Sequence, residues 1–300
     1  MIDPGFDGAV AIVTGMNNPR GIGAAVARAL ARQGVAVFGT FLRAPPPAGA
    51  AGAGTGAEPA PGEALYRRLA AADAAPMVAA IRAAGGRAAA LEVDLADPAA
   101  APRVFAAAEA AFGPVTILVN NAAYSEPDSL LPADMNADTP SAGGLPIGPF
   151  TVDTHDRHFH VNVRAPALLM REFARRHRDR RASGSAGRAA RIINISTDGA
   201  DAFPTEVSYG ASKHALESLT RSAAHEFGPL GITVNALSPG PIQTGYIPPG
   251  AEARIVGDTP LGRVGLPEDV ADAVLLLASE QARWLTGQLL YVGGGHAMPR

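Results

Sequence analysis

The sequence predicts an α/β fold: a doubly wound parallel sheet of about seven strands with helices on both faces. Three observations predict it. Short apolar runs of strand length alternate with helix-periodic segments along nearly the whole chain. The runs are apolar throughout rather than alternating, the form of strands buried on both faces. The first run passes through a glycine-rich turn directly into a helix, the opening of a dinucleotide-binding βαβ unit.

Composition narrows the classes. The chain has 300 residues, 47% of them hydrophobic, which suits one large α/β domain with a sizeable core. A formal charge of −3 supplies no basic footprint for nucleic acid. No apolar run approaches the roughly 18 residues of a membrane span, so no membrane partner is expected. Met1-Ile2-Asp3-Pro4 lacks the layout of a secretory leader, and a cytoplasmic protein is the expectation. Cysteine is absent and the seven His form no His-Glu-x-x-His pair, so no metal is expected.

Residues 10–13 are the first strand and run into Thr14-Gly15-Met16-Asn17-Asn18-Pro19-Arg20-Gly21-Ile22-Gly23. Gly15 permits the tight turn. Gly21, Ile22 and Gly23 bring the backbone and a helix N-terminus close to a pyrophosphate, and Arg20 adds a charge suited to it. Residues 36–41 are the second strand, with Thr40 near its end. An acid at this strand end would bind a ribose hydroxyl and select NAD(H). None lies between Gly34 and Pro45, and Arg43 stands just past the strand. A cation without an acid suits a 2′-phosphate, so NADP(H) is preferred and NAD(H) is left possible.

Residues 44–62 are low-complexity Ala, Gly and Pro and read as a surface insertion. A helix after Pro76 leads to a third strand at 88–93, ending at Asp94-Leu95, and a helix at 98–112. The fourth strand, 115–119, ends in Asn120-Asn121-Ala122-Ala123. Residues 125–150 form a long loop at its carboxyl end, where open α/β sheets bind ligands. A helix spans 152–176 with Asn162 inside it. The fifth strand, 191–195, precedes Ser196-Thr197-Asp198-Gly199, and the sixth, 233–237, runs into Ser238-Pro239-Gly240-Pro241-Ile242-Gln243-Thr244. Residues 245–266 are expected to be a mobile lid. Pro267 opens a helix whose Glu268 and Asp269 suit its dipole. Residues 289–292 are the last strand. The whole chain, 1–300, reads as one nucleotide-binding domain carrying the two insertions.

Between the fifth and sixth strands, Ser208-Tyr209-Gly210-Ala211-Ser212-Lys213 opens a helix. Tyr209 and Lys213 are four apart and share a face. Lys213 is the sole lysine in a chain with 24 arginines. A free phenol titrates near 10. A cation one turn away is expected to lower that value toward the useful range for acid–base work.

With the turn, the Asn-Asn-Ala motif and the Tyr/Lys pair in place, the chain resembles the short-chain dehydrogenases/reductases over residues 10–295, on a Rossmann fold. Its pattern is similar to that of 3-oxoacyl-carrier-protein reductases. It departs from the family where five residues rather than three separate Gly15 from Gly21, and where Ala123 replaces a Gly. The resemblance implies Tyr209 as acid and base, with Lys213 lowering its pKa and binding the nicotinamide ribose. It implies a water-borne proton relay at Asn162. Asp94 and Leu95 would meet the adenine, Asn120 and Ala122 would border the cofactor, and Pro239, Gly240, Ile242 and Thr244 would lie along the nicotinamide. A hydroxyl should orient the substrate carbonyl. Counting back thirteen residues from Tyr209 gives Ser196, the first choice; counting along the strand gives Thr197. The implied substrate is a small carbonyl or alcohol, and the implied assembly a homodimer or homotetramer. A non-catalytic nucleotide sensor and a lyase or epimerase on the same fold stay open as alternatives.

Overall fold

A computed structural model of the chain describes residues 3–43, 58–132, 135, 141, 145–184 and 189–298. Most of the predicted insertion at 44–62, and part of the loop at 125–150, therefore lie outside the described residues.

Seven parallel strands form the main sheet: β1 (Val10–Thr14), β2 (Ala36–Phe41), β3 (Ala88–Glu92), β4 (Ile117–Asn120), β7 (Ala190–Ile195), β8 (Ile232–Pro239) and β9 (Leu289–Val292). Their order is β3-β2-β1-β4-β7-β8-β9, so the winding reverses between β1 and β4. Two further strands, β5 (Asp128–Ser129) and β6 (Gly148–Pro149), pair parallel to each other within the long loop.

Alternation along the strands divides the core into two halves. Ala11, Val13, Ile117, Val119, Ile193 and Ile195 face one side. There they meet α1 (Ile22–Arg32), α3 (Ala75–Ala83) and α9 (Pro267–Ala278). Val10, Ile12, Leu118, Ile192 and Val234 face the other side. They meet α4 (Ala100–Phe112), α6 (Ala165–Ala182) and α7 (Val207–Phe227). Apolar surface on both faces of every inner strand is what made the strands continuous apolar runs in the sequence.

Three elements differ from expectation. The helix expected at 152–176 is α5 (Val152–Phe159) and α6, joined by a π-helical turn at His160–Arg164 that holds Asn162. A helix not foreseen, α2 (Glu63–Ala70), follows the insertion. The stretch expected to form a lid contains a helix not foreseen, α8 (Pro249–Asp258), started by Pro249 at its first position. Among the described residues, no helix is long and apolar enough to cross a membrane.

The β1–α1 turn is crowded. Gly15 has φ 74°, and a Cβ on Gly23 would lie 2.2 Å from the Gly15 carbonyl oxygen. Gly23→Ala should therefore destabilise the protein by about 2–3 kcal/mol in a urea titration. A wild-type midpoint in that variant would contradict the contact.

Candidate active site

The site lies at the carboxyl edge of the sheet, where β1 and β4 part company. The turn after β1 is locked from both sides. The N–H groups of Gly15 and Met16 donate to the Thr40 carbonyl at 2.8 and 3.1 Å. Asn121 Nδ2 donates to the carbonyls of Thr14 and Gly15 at 2.8 and 3.0 Å. The Thr14 hydroxyl in turn accepts from the N–H groups of Asn121 and Ala122, both at 2.9 Å. Asn121, not singled out in the sequence, is thus the residue that clamps the turn; the doublet itself was the available signal. Its neighbour Asn120 is buried and donates to Asn194 Oδ1 at 2.8 Å, so its side chain braces β4 against β7. Thr40 is buried and serves the turn through its carbonyl.

Two asparagines of the expanded turn reach neighbours. Asn17 Nδ2 donates to the carbonyls of Ala70 and Ala72, each at 3.0 Å. Asn18 Nδ2 donates to the Thr244 carbonyl at 3.2 Å. Gly21 caps α1 with no side-chain bond, and no acid stands in the first turn of that helix. The positive end of α1 is left for an anion, and the glycines leave room for it. This cradle fits the pyrophosphate of a dinucleotide.

Both expected phosphate-binding arginines have acidic partners. Arg20 pairs with Glu58 at 2.7 Å. Arg43 forks onto Glu92 at 2.9 and 2.7 Å, with Asp73 at 3.9 Å. Glu92 comes from β3, which the sequence around β2 could not reveal. Asp94 accepts from the Ala96 N–H at 2.8 Å, and Leu95 is buried in the core beside it. On the other flank, Gly240 N–H donates to the Val292 carbonyl at 3.1 Å, directly after Pro239 ends β8. Ile242 is buried and bridges Gly265.

The helix α7 carries Tyr209 and Lys213, and its start is capped from far away. Its N-cap residue, Glu206, makes no side-chain cap bond. Instead the buried Asp128 of β5 accepts from the Ser208 N–H at 2.9 Å, and its other oxygen takes the Ser208 hydroxyl. Asn162 braces the next turn: Nδ2 donates to the Ser212 hydroxyl at 2.9 Å and to the Tyr124 carbonyl at 2.8 Å, while Oδ1 accepts from the Tyr124 N–H at 2.8 Å. Both amide protons of Asn162 are committed to these partners.

Lys213 is buried, and Nζ donates to the Ile195 carbonyl at 2.7 Å. The ammonium stands 5.6 Å from the centre of the Tyr209 ring. Phe203 and His158 pack edge-on against that ring, at 6.0 and 6.5 Å. The expected lowering of the Tyr209 phenol is not found. Burial pushes it upward, and the Glu206 carboxylate adds to the effect. Lys213 is itself pushed down to about 8 by burial, which Glu217 opposes. Desolvation thus acts on both groups and outweighs the attraction between them.

The two candidate hydroxyls are separated by their partners. Ser196 is buried and donates to Glu217 Oε1 at 2.5 Å. Thr197 is half-buried, and its hydroxyl oxygen accepts from the Gly199 N–H at 3.5 Å. The first choice from spacing is therefore the one already engaged. Beyond Glu217, Asp201 and His214 pair at 3.3 Å.

Sequence comparison agrees with this geometry. The family profile described as enoyl-(acyl carrier protein) reductase matches residues 64–297. The chain belongs to the short-chain dehydrogenase/reductase family. It is an oxidoreductase of that family. It is 32% identical to an uncharacterised oxidoreductase of Bacillus subtilis, over 95% of this chain and 96% of that one. It is also 32% identical to an Arabidopsis thaliana protein named NADPH-dependent aldehyde reductase-like, over 96% of this chain and 94% of that one. Among solved structures, the short-chain dehydrogenase/reductase of Serratia marcescens BCRC 10948 superposes with a TM-score of 0.73 at 29% identity, covering 97% and 98% of the two chains. A metagenomic blue fluorescent protein in complex with NADPH gives a TM-score of 0.71 at 31% identity, with the same coverage.

Burying the Lys213 ammonium has a signature in stability. Between pH 8 and 10.5 the unfolded lysine keeps its proton while the folded one has released it. Stability should therefore rise with pH across that window. Lys213→Met should be more stable than wild type at pH 7 by about 1–3 kcal/mol. The gap should close as pH rises through the window, measured by urea titration. A gap constant in pH would contradict the buried-charge reading.

Proposed function

We propose that this oxidoreductase interconverts a small carbonyl compound and its secondary alcohol with NADP(H), using Tyr209 as the proton donor in reduction. The observation that carries the reading is the Tyr209–Lys213 pair, with the Lys213 ammonium anchored on the Ile195 carbonyl at 2.7 Å. Bound NADPH supplies the hydride to the carbonyl carbon. The Tyr209 hydroxyl gives its proton to the carbonyl oxygen, and a solvent proton restores the phenol. A phenol raised by burial is held as the acid at neutral pH, which suits reduction. The fixed ammonium stabilises the phenolate as it forms, in a place where water cannot.

The Thr197 hydroxyl is the group that orients the carbonyl, because Ser196 is spent on Glu217. The cofactor choice follows from charge. Arg43 is the cation past β2, and its pair with Glu92 is exposed. An exposed pair of this kind, screened by water, holds its partners weakly. A 2′-phosphate therefore displaces Glu92 from Arg43 at little cost. The NADPH in the metagenomic relative and the name of the Arabidopsis one support the same choice.

Carbonyl-dependent oxidation of NADPH, followed at 340 nm, tests the reading; NADH should serve less well. Tyr209→Phe should lose on the order of 10³-fold in kcat with its melting temperature kept. Thr197→Val should lose about 10²-fold and Ser196→Ala less than tenfold. The reverse ranking of the last two would restore Ser196 to the substrate, and an active Tyr209→Phe would overturn the acid assignment.

A further inference from the structure

After β9 the chain returns to the carboxyl edge of the sheet. Gly293 packs on Gly240, just past the end of β8: a Cβ on Gly240 would lie 2.8 Å from the Gly293 Cα. Gly293 to His296 then form a tight turn, closed by the His296 N–H donating to the Gly293 carbonyl at 3.0 Å. The two central residues, Gly294 and Gly295, have φ 61° and 88°. Positive φ at both centres is the form of turn that glycine favours. The segment between α8 and α9 holds the other side of the turn. There the Leu261 N–H donates to the Gly294 carbonyl at 3.1 Å, and a Cβ on Gly295 would lie 2.8 Å from Pro260 Cγ. The turn is thus fixed on two sides, apart from any contact of the His296 ring.

That ring reaches the loop after β7. Its Nδ1 stands 2.9 Å from Asp198 Oδ2. A carboxylate accepts, so Nδ1 carries the proton and donates. The two side chains are 28% and 14% exposed, so water competes little for the bond. The Asp198 carboxylate is enclosed between the ring and Gly240, where a Cβ would lie 3.3 Å from Oδ2.

The residue before Asp198 is Thr197. Its hydroxyl meets the Gly199 N–H at 3.5 Å, the outer limit of a hydrogen bond, so its direction is set by the backbone that carries it. That backbone is tied to β8 on either side. The Ser196 N–H donates to the Leu237 carbonyl at 2.7 Å, and the Asp198 N–H to the Pro239 carbonyl at 3.0 Å. Two bonds along one strand fix the height of the loop and leave it free to roll about the line between them. A third contact off that line stops the roll, and the Asp198–His296 bond is such a contact.

We propose that His296 is a positioning residue: through Asp198 it holds Thr197 with its hydroxyl turned to the reacting carbonyl. The C-terminal turn is then a working part of the site, and the glycines of residues 293–295 serve to double the chain back onto the loop after β7. This inference rests on the reading of Thr197 as the group that orients the carbonyl.

The test measures NADPH-dependent reduction of a carbonyl compound that wild type reduces, together with NADPH affinity read from the cofactor's fluorescence. His296→Ala should lose about tenfold in kcat, with NADPH affinity within about twofold of wild type. His296→Asn, whose amide nitrogen takes the place of Nδ1, should recover most of that loss. His296→Gln, whose amide lies one carbon further out, should not. In a Thr197→Val background His296→Ala should cost nothing further, because no hydroxyl is left to aim. Equal losses in the two backgrounds, full activity in His296→Ala, or equal activity in the Asn and Gln variants overturns the proposal. If the Ala variant fails to fold, the contrast between Asn and Gln decides the matter. A Thr197→Val enzyme as active as wild type removes the hydroxyl reading itself, and this inference falls with it. A wild type that reduces no carbonyl compound removes the reduction reading and both that depend on it.

Discussion

The buried ammonium of Lys213 is the constraint on which the rest of the site depends. An ammonium taken out of water is stable only where fixed dipoles replace the lost hydration. Here the Ile195 carbonyl does so, at the end of β7. That bond requires α7 to dock with its second turn directly over the strand end. Docking in turn requires a capped helix start and a braced flank. Asp128 supplies the cap from the long loop, and Asn162 supplies the brace from the π turn. Residues far apart in sequence are thereby tied to one charge.

The same edge of the sheet is held on its other side by backbone-directed bonds from Asn121 and Thr14. The turn after β1 and the motif after β4 flank the place where the winding reverses, the usual position for a ligand in an open α/β sheet. The expanded turn is not slack. Within it, Asn17 ties the turn to the end of α2 and Asn18 ties it to the Thr244 segment.

Much of this was legible in the sequence because it rests on local pattern. Apolar runs placed the strands, and Gly15, Gly23, Tyr209 and Lys213 announced themselves by spacing. What escaped depends on contacts across the chain. Nothing near Arg43 shows that Glu92, on another strand, pairs with it. Nothing near Ser196 shows that Glu217, a full helix away, takes its hydroxyl. Asp128 caps a helix 80 residues downstream. α8 was missed because its Gly and Pro content resembles a loop, although Pro at a helix start is favourable. The pKa of Tyr209 was expected to fall because sequence spacing displays the neighbouring cation but not the burial that outweighs it.

The most direct test of the account is the fate of the hydride. NADPH carrying deuterium at both C4 positions of the nicotinamide would be turned over with a ketone that the enzyme reduces, and the alcohol examined by mass spectrometry and NMR. The account predicts one deuterium on the carbinol carbon, with solvent hydrogen on oxygen. Turnover that leaves that carbon free of cofactor deuterium, as a lyase or epimerase would, contradicts it.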